Sequence, residues 1–115
     1  MLLFSYATKF NRDISKWDVS NVKDMGSMFR DAHNFNQDIS TKIAYRRDGT
    51  EYKAWDVSNV TSMNMMFYSA KAFNRDISNW NVNISNNDDI SRMFSGATKI
   101  LNCNKPTKLQ NPKCS

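Results

Sequence analysis

The chain has little of what most catalytic and fibrous architectures require. Three glycines and two prolines in 115 residues exclude a collagen-type helix, a proline-rich linker and a glycine-rich phosphate loop. A single histidine, His33, and two cysteines, Cys103 and Cys114, give no His/Cys cluster for a metal and no complete set of parts for a common nucleophilic triad. Two cysteines alone do not fix the redox compartment. No apolar run is long enough to span a membrane as a helix. The opening Met1-Leu2-Leu3-Phe4-Ser5-Tyr6 has neither the basic nor the apolar region of a signal peptide and is not read as one. Acidic residues are missing from residue 99 onward, where Lys99, Lys105, Lys108 and Lys113 carry four of the net five positive charges and leave +1 for the first 98 residues. The pI of about 9.4 therefore reports the tail, and nucleic-acid binding is not expected. Leucine is scarce for a chain that is 40% hydrophobic; methionine, phenylalanine and tryptophan take its place.

That bias is periodic, and a periodic bias is the mark of a repeat architecture. Phe10-Asn11-Arg12-Asp13-Ile14-Ser15 returns as Phe35-Asn36-Gln37-Asp38-Ile39-Ser40 and as Phe73-Asn74-Arg75-Asp76-Ile77-Ser78. Trp17-Asp18-Val19-Ser20-Asn21-Val22 returns as Trp55-Asp56-Val57-Ser58-Asn59-Val60, with a degraded copy at Trp80-Asn81-Val82. The pairs Leu3-Phe4, Met28-Phe29, Met66-Phe67 and Met93-Phe94 are spaced by 25, 38 and 27 residues, a unit of 25 with one large and one small insertion.

Within a unit, Trp17 and Val19 alternate with Asp18 and Ser20, which predicts a short strand with one buried face. Met25, Met28, Phe29 and Ala32 fall at i, i+3, i+4 and i+7, which predicts one face of a short helix. One unit cannot bury its own apolar face; stacked units can, because each residue type lands above itself.

The Trp-Asp-Val-Ser-Asn-Val blocks, the Met-x-x-Met-Phe-x-x-Ala segment and the Phe-Asn-x-Asp-Ile-Ser closure together resemble a leucine-rich repeat. The resemblance is closest to the bacterial surface-protein repeats of the BspA type and the related DUF285 family, and it covers roughly residues 3 to 98. It implies a right-handed solenoid, a cell-surface or extracellular setting, and a role in adhesion or protein contact. The expected fold is an α/β repeat: a short right-handed leucine-rich-repeat-like solenoid of about three to four 25-residue turns over residues 1–98, followed by a basic tail or cap over residues 99–115.

Function is expected where the repeat fails. The insertion Thr41 to Ala54 separates Ser40 from Trp55 where other units need one residue. Its Asp48-Gly49 lies between alternating segments, which predicts a β-hairpin projecting from the solenoid edge. It carries Tyr45, Arg46, Arg47, Tyr52 and Lys53, an aromatic-plus-arginine composition suited to binding a protein or glycan; a tolerated loop insertion is the competing reading. The tail is read either as a cap with Cys103 and Cys114 joined or as an arm reaching a neighbour. The recurring Asp13, Asp38 and Asp76 are read as turn residues, with stacked calcium ligands the minor alternative. His33 is read as a turn residue, and Asn59-Val60-Thr61 and Asn83-Ile84-Ser85 match N-glycosylation acceptors. No catalytic, cofactor or metal residues are assigned. The leading function is a non-catalytic interaction or adhesion module. The alternative is a structural or cement subunit of a larger assembly, docked through its ends and tail and, with no signal peptide visible, intracellular or viral.

Overall fold

In a computed structural model, residues 3–114 are described; Met1, Leu2 and Ser115, and the part of the opening reading that falls on them, lie outside the described residues. Backbone hydrogen bonds join equivalent positions of successive units. The N–H groups of Phe4 and Tyr6 donate to the carbonyls of Met28 and Arg30. Those of Met25, Ser27, Phe29 and Asp31 donate to Ser62, Asn64, Met66 and Tyr68, and those of Met63, Met65, Phe67 and Ser69 to Asp89, Ser91, Met93 and Ser95, all at 2.7–3.1 Å.

These ladders run through the segment whose spacing suggests a helix, and that segment is not helical. Only alternate N–H groups cross to the next unit. The intervening ones, Met28, Arg30 and Ala32, donate to carbonyls three residues back, at Met25, Ser27 and Phe29. Left-handed residues enforce the alternation: Ser27, Met65 and Arg92 have φ of 59°, 58° and 56°, and Tyr6, Asp31, Ser69 and Gly96 have 62°, 58°, 54° and 76°. A right-handed helix cannot pass through such residues. A left-handed residue every fourth position still brings Met25, Met28, Phe29 and Ala32 to one side, where none is more than 1% exposed. The burial period of a helix is thus met by a chain of tight turns.

The strand expected at Trp17–Ser20 is also absent, although the alternation of its side chains is real in the second copy, where Trp55 and Val57 are buried and Asp56 and Ser58 are not. The carboxylate of Asp18 accepts both the N–H and the hydroxyl of Ser20, at 3.1 and 2.6 Å. Asp56 does the same to Ser58 and Asp38 to Ser40. A side chain that captures the backbone donor two residues on removes it from any sheet ladder.

Packing repeats with the same period. Three columns of rings run through the core, each parallel to its neighbour within 11°: Phe4, Phe29, Phe67 and Phe94 at 5.3–5.6 Å; Phe10, Phe35 and Phe73 at 5.8 Å; and Trp17, Trp55 and Trp80 at 6.2–6.5 Å. Each large side chain fully buried contributes about 1.5–3 kcal/mol. Polar columns hold the register. The indole N–H of Trp55 donates to the Ile14 carbonyl and that of Trp80 to Ile39, both at 2.8 Å. The side-chain oxygen of Asn11 accepts the N–H of Asn36, and that of Asn36 accepts the N–H of Asn74, both at 2.9 Å.

The tail lies over the last unit. Asn74 presents its side-chain oxygen to the N–H of Leu101, the Asn104 carbonyl accepts the N–H of Ile77, and Lys105 sits 5.4 Å from the centre of the Phe94 ring. Gln110 is buried, donating to the Lys105 carbonyl, and Cys103 and Cys114 are joined in a disulfide. Among the described residues, regular structure is otherwise limited to an isolated parallel bridge between Asp24 and Ser62, 3-10 turns at Asn87–Asp89, Asn102–Asn104 and Thr107–Leu109, and one hairpin.

Candidate interaction surface

That hairpin occupies the insertion. Strands β1 (Lys42–Tyr45) and β2 (Glu51–Ala54) pair antiparallel, with Ile43 opposite Lys53, Ala44 opposite Tyr52 and Tyr45 opposite Glu51. Gly49 sits at φ 90° in the turn, where a residue with a Cβ would be strained. Alternation sends Ala44 and Tyr52 toward the body and Ile43, Tyr45, Glu51 and Lys53 outward.

The hairpin does not stand free of the edge, as the sequence suggests; it lies back on the first unit. The Tyr52 hydroxyl donates to the Lys16 carbonyl, and Ala44 and Ala54 are buried. The Arg46 guanidinium covers the Tyr52 ring at 4.8 Å, reaches the Asp18 carboxylate at 3.4 Å and donates to the Glu51 carbonyl. Short inward side chains and one long aromatic anchor bring the strands down, so the hairpin is braced.

The five candidate residues therefore divide. Tyr52 and Arg46 are braces. Tyr45, Arg47 and Lys53 are exposed, and the exposed surface gains Ile43, 49% exposed beside Tyr45 at 67%. Ile43 carries neither the ring nor the charge that marks the other candidates in the sequence. Lys16 and Asp18, which anchor the hairpin, belong to the repeat and carry no local mark of that role in the sequence.

The remaining polar sites serve the turns. Asp13, Asp38 and Asp76 each accept the N–H of the serine two residues on, at 2.9 Å. Burial raises the Asp38 pKa, but hydrogen bonds from Lys42 and Ser40 outweigh it and hold it at about 2. Hydrogen bonding from Ser78 lowers Asp76. Asp38, Ser40, Arg75, Asp76, Ser78 and Asn79 line a hollow of about 360 Å³. Both of its carboxylates are engaged by the serine two residues on. His33 lies elsewhere, 3.6 Å from Asp31. The amides of Asn59 and Asn83 donate to the carbonyls of Ser20 and Ser58 one unit before, so a glycan at either would displace a bond between units.

Bonds and ring stacks at unit spacing define a repeat protein. Residues 1–105 match the family described as "Mycoplasma protein of unknown function, DUF285", and the chain belongs to that family. No curated protein and no solved structure matches the chain.

Proposed function

We propose that the chain is a non-catalytic interaction module of a surface-type repeat protein, built as a right-handed leucine-rich-repeat-like solenoid and displayed at the cell surface, and that it binds a protein or glycan through the hairpin. The observation that carries this reading is the braced hairpin. Its inner face is tied down by Tyr52 and Arg46, while its outer face presents Ile43 and Tyr45 beside Arg47 and Lys53. A rigid display of apolar and cationic side chains lowers the ordering cost of binding, and aromatic and arginine residues supply most interface hot spots. The module is expected to use no cofactor or metal, because the carboxylates of the repeat are engaged in turns.

The test compares the full chain with a double variant, Ile43→Ser with Tyr45→Ser, and with a deletion of residues 42–53. Each is assayed against a glycan array and a panel of purified extracellular proteins. The expected result is binding by the full chain that falls at least about tenfold in the double variant, the cost of removing a central hot spot. Binding that survives the deletion against every responsive partner ends the hairpin reading.

A further inference from the structure

The hairpin offers backbone groups as well as side chains. The Arg46 N–H donates to the Thr50 carbonyl at 2.8 Å, one step beyond the pair of Tyr45 and Glu51. Bonded pairs alternate with unbonded ones along an antiparallel ladder. The bonds between β1 and β2 therefore fall at Ala44 with Tyr52 and at Lys42 with Ala54. The N–H and C=O groups of Ile43 and Tyr45 point away from β2, and those of Glu51 and Lys53 point away from β1. The two edges are not equal. β2 lies along the first unit: its Tyr52 hydroxyl donates to the Lys16 carbonyl, the Trp55 N–H donates to the Trp17 carbonyl at 3.1 Å, and the Glu51 carbonyl already accepts from Arg46. On β1, the outward groups of Ile43 and Tyr45 have no partner among the described residues. Proteins commonly guard such an edge with proline or charge; here the open stretch is Ile43-Ala44-Tyr45. It is limited at both ends. The N–H and C=O of Thr41 are taken by the Asn79 side chain, at 3.3 and 2.8 Å, and Arg47 lies in the turn that the Gly49 N–H closes on Arg46.

We infer that this edge pairs with the same edge of a second copy of the chain, antiparallel, about a two-fold axis beside Ala44. One register satisfies every open group. With Ile43 opposite Tyr45 of the second copy, and the reverse, each pair exchanges two N–H···O=C bonds, four in all. A register centred on Ile43 sets Tyr45 against Thr41, whose groups Asn79 holds, and one centred on Tyr45 sets Ile43 against Arg47 in the turn; each keeps only the central two bonds. Length selects the occupant: a long extended peptide would have to pass the Asn79 corner, whereas a second copy brings a stretch with the same two limits. Charge agrees with this choice. Lys42 and Arg46 fall opposite one another on the inner face, and each is already paired, with Asp38 and Asp18. Ile43 and Tyr45 meet on the outer face, an aromatic and a β-branched residue directly across the strands. The tip of each hairpin, with Arg47 exposed, comes to the base of the other, where Asp38 and Asp76 line the hollow. So small an isologous contact makes a transient dimer. This pairing rests on the reading of the hairpin as the interaction surface and names a partner for it.

Sedimentation equilibrium of the full chain from about 10 μM to about 1 mM, the range of small transient contacts, is expected to show monomer passing into dimer. Ile43→Pro removes an outward N–H and leaves the donors of Lys42, Ala44 and Arg46 that hold β1 to β2. By symmetry two of the four new bonds are lost, and the dissociation constant is expected to rise at least about tenfold. Lys53→Pro removes the equivalent outward donor of β2 and is expected to leave the dimer unchanged. Circular dichroism verifies both folds. A second set of variants reads the register without proline: Tyr45→Glu is expected to weaken the dimer, and Tyr45→Glu combined with Ile43→Lys to restore it, because the two positions face each other across the axis. Monomer at every concentration overturns the pairing. So does a dimer that Ile43→Pro leaves intact, one that Lys53→Pro dissociates equally, or, where the proline variants do not fold, one that the double variant fails to restore. Binding to the glycan array or protein panel without self-association removes the pairing alone and leaves the hairpin reading in place.

Discussion

The tryptophan column allows the stacking account to be tested quantitatively, because three chemically equal residues sit in three unequal environments. Trp55 is fully buried between Trp17 at 6.5 Å and Trp80 at 6.2 Å and donates to Ile14. Its replacement by alanine removes a full ring, opens a cavity and leaves the Ile14 carbonyl without its partner, at a cost of about 4–5 kcal/mol. Trp55→Phe keeps a ring in the column and loses only the indole donor and part of the volume, so about 1–3 kcal/mol is expected. Trp17 stacks on Trp55 and is 38% exposed, and Trp17→Ala is expected to cost only about 1–2 kcal/mol, a fraction of a buried truncation. Urea unfolding followed by far-ultraviolet circular dichroism measures all three, and similar slopes would confirm that each variant unfolds the same structure. A domain of ordinary stability, about 5–15 kcal/mol, retains a folded baseline for the two milder variants even if Trp55→Ala does not. The reasoning fails if Trp17→Ala costs as much as Trp55→Ala, or if Trp55→Ala lies within about 0.5 kcal/mol of the parent, the range of an ordinary surface change.

Two further outcomes follow from the backbone and the carboxylates. Ser27 has φ of 59°, so Ser27→Gly is expected to raise stability by up to about 1 kcal/mol in thermal unfolding, because glycine adopts that conformation without strain; a loss of similar size would restore the helix. Hydrogen bonds from serine or threonine depress Asp13, Asp18, Asp48, Asp56 and Asp76, and Asp38 lies at about 2 despite its burial. Groups with depressed folded values stabilise the fold above their unfolded pKa near 3.8 and lose that contribution as the pH falls toward about 2. The thermal midpoint is therefore expected to hold steady from pH 7 to pH 5 and to fall between pH 4 and pH 2, as about 4 is the unfolded value; a midpoint unchanged at pH 2 would show that the aspartate turns add nothing.

Side-chain placement was far more legible in the sequence than backbone conformation. The Met25, Met28, Phe29 and Ala32 spacing located buried residues correctly but named the wrong element, because turns with a left-handed residue every fourth position share the burial period of a helix. A sequence cue was present. Gly26, Ser27 and Asp31 are poor helix formers, and Asp24 takes the N–H of Gly26 in a turn. The Trp-Asp-Val-Ser block misled in the opposite sense: its alternation is that of a strand, but the aspartate two residues before each serine withdraws the donor that a ladder needs. The hairpin was legible because Asp48-Gly49 lies between two alternating runs. Its attitude was not, since the anchor at Lys16 is a backbone carbonyl and any residue there would serve. The exposure of Trp17 was likewise hidden, because Trp17 matches Trp55 and Trp80 in sequence.

The insertion between Ser40 and Trp55 leaves the ladders on either side intact: Phe29 still meets Met66, and Phe35 still stacks on Phe73. Register in this architecture is thus written at the turn-rich edge and carried by the rings, and the corner before Trp55 takes an insertion without shifting it. A loop placed there changes the length of a unit without changing its height. Lys16 and Asn79 occupy the same corner in the neighbouring units, and both hold the middle one: the Lys16 carbonyl accepts from Tyr52, and Asn79 exchanges hydrogen bonds with Thr41. The middle unit thus carries a graft whose neighbours above and below clasp its base.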